Sequence, residues 1–172
     1  VELSLAAGEI HALLGENGAG KSTLMKILSG VYQRDGGEIR IDGETVEIAN
    51  PRQAEAHGVT IIHQEMNLVP AMSVMENIFL GREPANRFGF LDWGAMRRRT
   101  EELMRSLGTA IAADDIVADL SIGEQQMVEI AKALSFQTKI LIMDEPTAAL
   151  TERETEKLFV IIRKLAADGV GI

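Results

Sequence analysis

A chain of 172 residues has room for one domain with a full core and not for two. Its net charge of −9, from 17 basic against 26 acidic residues, sets it against nucleic-acid backbones. The absence of cysteine excludes a disulfide framework, a thiolate metal site and a cysteine nucleophile.

Glu9 to Leu14 is a short apolar run that reads as a buried strand ending at Gly15. A glycine-rich turn follows, then a helix from Lys21 to Ser29 stopped by Gly30. Glu38 to Ile41 and Thr45 to Ile48 alternate around Asp42-Gly43, the signal of a hairpin. Asn50-Pro51 caps a short helix that Gly58 ends, and Val59 to Ile62 is a second buried strand opening onto Gln64. Ser73 and Glu76 make a capping box, and Asp92 caps a helix that runs to Leu107. Its Arg97-Arg98-Arg99 run, followed at once by Glu101 and Glu102, reads as a solvated helix face. Gly123 to Ser135 forms a helix with Met127, Ile130, Ala131 and Leu134 on one face. Ile140 to Met143 is a third buried strand ending in Asp144-Glu145-Pro146. Thr151 and Glu154 box the start of a last helix striped by Leu158, Ile161, Ile162 and Leu165. Val1 and the start of a strand at Gly169–Ile172 read as the two ends of a fragment.

Strands separated by helices predict an α/β fold with a mainly parallel sheet covered on both faces. The hairpin adds a small antiparallel flank, and the helical middle is an insertion. The expected organisation is a single domain over 1–172, with a core at about 1–70 and 136–172 and a helical subdomain at about 71–135. No apolar stretch approaches the roughly 18 residues that a bilayer span requires, so any membrane role passes through a partner.

Gly15-Glu16-Asn17-Gly18-Ala19-Gly20-Lys21-Ser22 matches the phosphate-loop (Walker A) pattern G-x-x-x-x-G-K-[ST] and lies between a strand and a helix, the context that pattern needs. Its glycines let main-chain N–H groups converge on phosphate oxygens, and the helix adds its positive end. Lys21 would reach the β- and γ-phosphates, the Ser22 hydroxyl would ligate Mg²⁺, and Thr23 would add a bond to an inner phosphate. Asp144 and Glu145 end a strand of the same sheet, where one acid can hold Mg²⁺ and the next can deprotonate the attacking water. Asp144 is the candidate metal partner and Glu145 the candidate base. The guanine-reading pattern Asn-Lys-x-Asp is missing, because no asparagine is followed by lysine.

The remaining motifs resemble those of the ABC (ATP-binding cassette) ATPases, in family order along the whole chain. Leu120-Ser121-Ile122-Gly123-Glu124-Gln125-Gln126 resembles the signature L-S-G-G-Q, Ile62-His63-Gln64-Glu65 the Q-loop, and Ala148-Ala149-Leu150-Thr151 the D-loop. The resemblance implies a P-loop NTPase (RecA-like) fold, with ATP and Mg²⁺ as cofactors and two cassettes that sandwich each nucleotide. Ser121, Gly123 and Gln125 would then contact the nucleotide on the partner cassette, and Gln64 would contact Mg²⁺ and the attacking water. A finer likeness, carried by Gly15–Lys26, His63–Pro70, Leu120–Ala133 and Asp144–Thr151, is to the ribose/galactose/xylose type of monosaccharide importer ATPase. Ile122, Glu124, Met127 and Thr151 depart from the general family pattern and agree with that type.

That type implies membrane permease subunits as partners, indirectly a periplasmic sugar-binding protein, and a peripheral place on the cytoplasmic face of the inner membrane. Nucleic acid is not expected. Met66, Met72, Met75 and Phe79 are either core residues or part of a groove for a permease helix. The alternatives are a purine-nucleoside importer ATPase and a soluble, non-transport ABC ATPase. The adenine-stacking aromatic and the γ-phosphate histidine of the family have no counterpart between Val1 and Ile172, so weak or absent turnover is expected of this piece alone. His11 and His63 read as structural residues beside buried strands, and His57 as an exposed helix end.

Overall fold

The computed structural model describes every residue except Val1, Asn17, Gln64, Glu65 and Ala149. The chain forms two compact units, one from residues 1–61, 136–144 and 159–172, the other from 62–135 and 145–158.

In the first unit the hairpin joins β1 (Ile39–Ile41) to β2 (Glu44–Val46), antiparallel, with Ile41 opposite Glu44. Asp42 (φ 54°) and Gly43 (φ 82°) are both left-handed, as a two-residue turn that matches strand twist requires. Asn50 caps α2 (Pro51–Ala56) by accepting from the Gln53 N–H. β3 (Val59–Ile62) and β4 (Ile140–Met143) occupy the residues predicted for them and are hydrogen-bonded neighbours. The Gly58 carbonyl accepts from Lys139 and Ile140, so both strands start at the same end. On the other side of β4, Gly171 forms a parallel bridge with Ile140. Ile172 in turn accepts from the His11 N–H and donates to the Glu9 carbonyl, both at 2.8 Å. The sheet order is therefore β3, β4, the 169–172 segment, then the 9–11 segment.

Glu9–Leu14 differs from the prediction of a buried strand. Among the described residues its ladder bonds run only through Ile172, and Ile10 and Leu14 are 50% and 90% exposed. The apolar run reported the character of the residues correctly, but among the described residues little packs over them. The core of this unit gathers Ile41, Val46, Ile48, Ala54, Val59 and Ile142, with Met25 and Leu28 of α1 (Lys21–Leu28) packed against it. Each fully buried aliphatic side chain contributes about 1.5–3 kcal/mol. That contact fixes α1, and with it the preceding glycine-rich turn, to the sheet.

The second unit packs α3 (Val74–Phe79), α4 (Trp93–Ser106) and α5 (Ile122–Leu134) pairwise around Val74, Ile78, Met96, Met104, Val128 and Ile130. Ser73 and Glu76 form the predicted capping box, and the hydroxyl and main-chain bonds from Ser73 hold the Glu76 carboxyl below the usual carboxylate range. Asp92 caps α4 as expected. Fully buried Asn77 accepts from the Val69 N–H at 2.7 Å and donates to the carbonyls of Val69, Met72 and Ser73. One amide thus ties the whole turn ahead of α3. Arg97, Arg98 and Arg99 are exposed, with Arg97 paired to Asp114 at 2.7 Å. In the last helix, α6 (Glu152–Ala167), Leu158 of this unit is buried, as are Ile161, Ile162 and Leu165, which belong to the first unit.

Candidate functional site

In the first unit, the sheet segment at 9–11 leads into the turn at Gly15–Gly20, and α1 begins immediately after it at Lys21. Gly18 (φ 85°) and Gly20 (φ 86°) take left-handed conformations, and a Cβ on either would meet nothing within 4 Å. These two glycines serve the path of the chain, and the space beside them is open. Among the described residues no side chain caps α1, so its leading N–H groups keep the unsatisfied end that binds anions. The Lys21 ammonium folds over the turn and donates to the carbonyls of Gly15 at 2.5 Å and Glu16 at 2.9 Å. Ser22 and Thr23 follow, both exposed, at the same helix end. Open space, the leading amides of α1, one ammonium and two hydroxyls make a donor set that fits a polyphosphate.

Asp144 directly follows β4 and is half-buried. Since β4 and the 9–11 segment run parallel to the 169–172 segment between them, Asp144 and the turn emerge at the same edge of this sheet. Ligand sites of parallel sheets form at that edge. Glu145 comes next in the chain, exposed, with φ 49°. A non-glycine residue in that region costs roughly 1–2 kcal/mol, and such strain clusters at functional positions. The described residues contain no group of three or more His, Asp or Glu side chains that could cage a metal. Magnesium held by one or two protein ligands together with phosphate oxygens needs no such cage. Ser22 and Asp144 suit that arrangement.

In the second unit Ser121 caps α5. Its hydroxyl donates to Glu124 Oε2 at 2.8 Å and its N–H donates to the same oxygen at 2.9 Å. These bonds hold the Glu124 carboxyl below the usual range. Gln125 directs its amide at the carbonyls of Leu120 (3.0 Å) and Val117 (3.2 Å), tying down the chain that enters the helix. Gly123 is buried, and a Cβ there would lie 2.1 Å from Glu154 Oε1. Only glycine allows that approach. Glu154 caps α6 through the Thr151 hydroxyl and amide, and these bonds, with help from the Gly123 main chain, depress its pKa. A carboxylate of the chain therefore already faces the N-terminal end of α5. The sequence identified Glu154 only as a cap, because nothing local links it to Gly123.

Of the predicted site residues, Gly15, Gly18, Ala19, Gly20, Lys21, Ser22, Thr23 and Asp144 share the first unit, whereas Ser121, Gly123, Gln125 and Glu145 belong to the second. Asn17 and Gln64 lie outside the described residues. Met75 and Phe79 are core residues, while Met66 and Met72 remain half-buried. Two histidine expectations are corrected. His11 is exposed beside Glu9, with its ring 3.3 Å from that carboxylate, because its strand lies at the thinly covered side of the sheet. His57 is half-buried, because it closes α2 as the C-cap.

A profile of the ABC transporter family matches residues 1–148. The chain is 58% identical, over its whole length, to the Ribose import ATP-binding protein RbsA of Chromobacterium violaceum, of which it spans 34%. Among solved structures, an ATP-binding cassette of an ABC transporter in its ADP conformation superposes with a TM-score of 0.85 at 24% identity, covering 99% of this chain and 70% of the other. A dimeric ATP-binding cassette in a post-hydrolysis state with ADP and Pi superposes with a TM-score of 0.77 at 28% identity, covering 98% and 74%. The chain belongs to the ABC transporter family and carries the P-loop fold of its ATP-binding cassettes.

Proposed function

We propose that this chain is the ATP-binding and hydrolysing cassette that powers an importer of a monosaccharide such as ribose, galactose or xylose. The carrying observation is the turn at Gly15–Gly20 opening onto the uncapped end of α1, with Lys21 beside it. The relative named for ribose import supports the choice of cargo. Residues 1–172 act as one nucleotide-binding domain, with a sheet core and a helical subdomain.

In this reading the amides of Gly15–Gly20 with Asn17 and Ala19 wrap the phosphates, Lys21 moves from its carbonyl partners onto the β- and γ-oxygens, and Thr23 holds an inner phosphate. Ser22 and Asp144, with Gln64, would hold Mg²⁺, which offsets charge on the phosphates. Glu145 accepts the proton of the water that attacks the γ-phosphorus, and Gln64 orients that water. Ser121, Gly123 and Gln125 face the nucleotide of a second cassette, as the dimeric relative with ADP and Pi suggests. Membrane permease subunits and, through them, a periplasmic sugar-binding protein complete the assembly, with this chain peripheral on the cytoplasmic face. Among the described residues no helix is long and apolar enough to cross a membrane.

The test is uptake by cells lacking the full-length protein. Loss of labelled ribose, galactose or xylose uptake, with purine-nucleoside uptake intact, is the expected result. Loss of nucleoside uptake alone would reassign the cargo, and normal uptake of both would exclude a transport role for these substrates.

A further inference from the structure

The stretch from Phe88 to Trp93 holds three of the seven aromatic side chains of the sequence. Phe88, Phe90, Leu91 and Trp93 are 69%, 72%, 48% and 48% exposed. Large apolar side chains exposed together mark an interaction surface, whereas single ones do not. Hydrogen bonds hold this turn in one shape. The Asn86 N–H donates to the Phe90 carbonyl at 2.7 Å, and Asn86 Oδ1 accepts from the N–H groups of Phe88 and Phe90. Ala85 and Leu91 form an antiparallel bridge, and the Asp92 N–H donates to the Pro84 carbonyl at 2.7 Å. Asp92 also caps α4, so the turn is fixed to the start of that helix. Every residue from Ala85 to Leu91 is exposed, so the turn stands out from the helical unit as a tip.

The chain as a whole is acidic, at −9, yet residues 82–99 hold five arginines against two carboxylates. The main chain engages both carboxylates: Glu83 accepts the Gly81 N–H at 3.0 Å and Asp92 the Ala95 N–H at 2.8 Å. Arg82 bonds to the Ile78 carbonyl and the Ser135 hydroxyl, and Arg97 pairs with Asp114. The cations nearest the tip are Arg87, Arg98 and Arg99, all exposed. The Arg87 guanidinium lies 4.6 Å from the centre of the Phe88 ring. Arg98 reaches back along α4, its Nη1 only 3.4 Å from where a Cβ on Gly94 would stand, beside Trp93. Glu101 and Glu102 lie farther along the helix from the tip.

Aromatic rings beside arginines compose a surface that suits the headgroup layer of a bilayer. The rings enter the apolar boundary while the guanidinium groups stay with the lipid phosphates. A tip exposed at every residue offers no groove to a partner helix, and a headgroup layer needs none. Such contact also needs no spanning segment. We propose that the turn at 85–93, together with Arg87, Arg98 and Arg99, docks on an anionic lipid surface. No residue assigned to nucleotide takes part, and lipid affinity is read without ATP, so the proposal stands apart from the function proposed above.

The experiment is co-sedimentation of the full-length protein with vesicles of phosphatidylcholine, alone or mixed with an equal part of phosphatidylglycerol. Affinity for the mixed vesicles should be about tenfold or more the higher, and should fall as salt is raised. Phe88→Ser with Phe90→Ser should weaken it about tenfold or more, because two rings no longer enter the apolar layer. Arg87→Gln with Arg98→Gln and Arg99→Gln should weaken it about 100-fold, at about fivefold per cation. Phe88→Leu with Phe90→Leu keeps an apolar tip and should stay within about threefold of the unmodified protein. All these side chains are exposed, so the thermal unfolding midpoint should not move. If the serine pair fails to fold, the arginine set decides alone. Absence of binding to the mixed vesicles, or binding that the substitutions leave unchanged, would overturn the proposal. Equal, salt-insensitive binding to both kinds of vesicle would overturn it too. If vesicles do not bind while the serine pair releases a co-purifying permease, the surface belongs to a protein partner and the lipid proposal fails.

Discussion

Glu145→Gln in the full-length protein is expected to lower ATP turnover by about 10²–10⁴-fold, the range that a positioned general base supplies. The substitution keeps the size of the side chain and removes only its ability to take a proton. The position is unusual as well as acidic: Glu145 leaves β4 with φ 49°, and the Glu145 carbonyl accepts from the Ala148 N–H in the turn that follows. Glutamine should tolerate that backbone as well as glutamate does, so folding should not change. Binding of Mg·ATP should persist, and two cassettes should remain closed around unhydrolysed nucleotide. Single-turnover hydrolysis and size-exclusion chromatography in Mg·ATP read the two effects. Turnover within threefold of the unmodified protein would remove Glu145 from the chemistry.

Lys21→Ala should weaken Mg·ATP binding by about 100-fold or more, because charge-assisted bonds to two phosphates contribute about 1.5–3 kcal/mol each. The bonds that Lys21 now makes go to the carbonyls of Gly15 and Glu16, both exposed residues that water can serve in its absence. Stability should therefore stay within about 0.5 kcal/mol, the range of ordinary surface substitutions. Affinity by calorimetry and the midpoint of urea unfolding separate the two effects. Unchanged affinity would contradict the site.

Local chemistry made most of the fold legible. Short, mostly apolar runs bounded by Gly58, Lys139 and Asp144 located β3 and β4 at their observed ends, because strands of a parallel sheet read as near-continuous apolar runs. Ser73 with Glu76, Asp92, and Thr151 with Glu154 announced helix starts through bonds made within four residues. The same locality explains the failures. Burial at Ile10, Leu14, His11 and His57 depends on what packs across from them, which no neighbour in the sequence records.

The candidate site divides in the same way. The phosphate turn is written in consecutive residues, so its glycines, Lys21 and Ser22 could be read directly. The approach of Glu154 to Gly123 and the hold of Glu129 and Lys132 on Asn67 join residues far apart in the chain. Glu129 carried no usable signal, because Gln125, Gln126 and Lys132 share its side of the helix. Gln125 shows the reverse: a residue assigned to nucleotide by motif makes bonds to Val117 and Leu120 that the motif does not predict.

The most direct test of the central claim is a titration of the isotopically labelled chain with Mg·ATP, followed by amide nuclear magnetic resonance. The account predicts the largest shifts at Gly18, Gly20, Lys21 and Ser22, at the turn and the leading end of α1. Saturable shifts elsewhere, with those four amides unmoved, would contradict it.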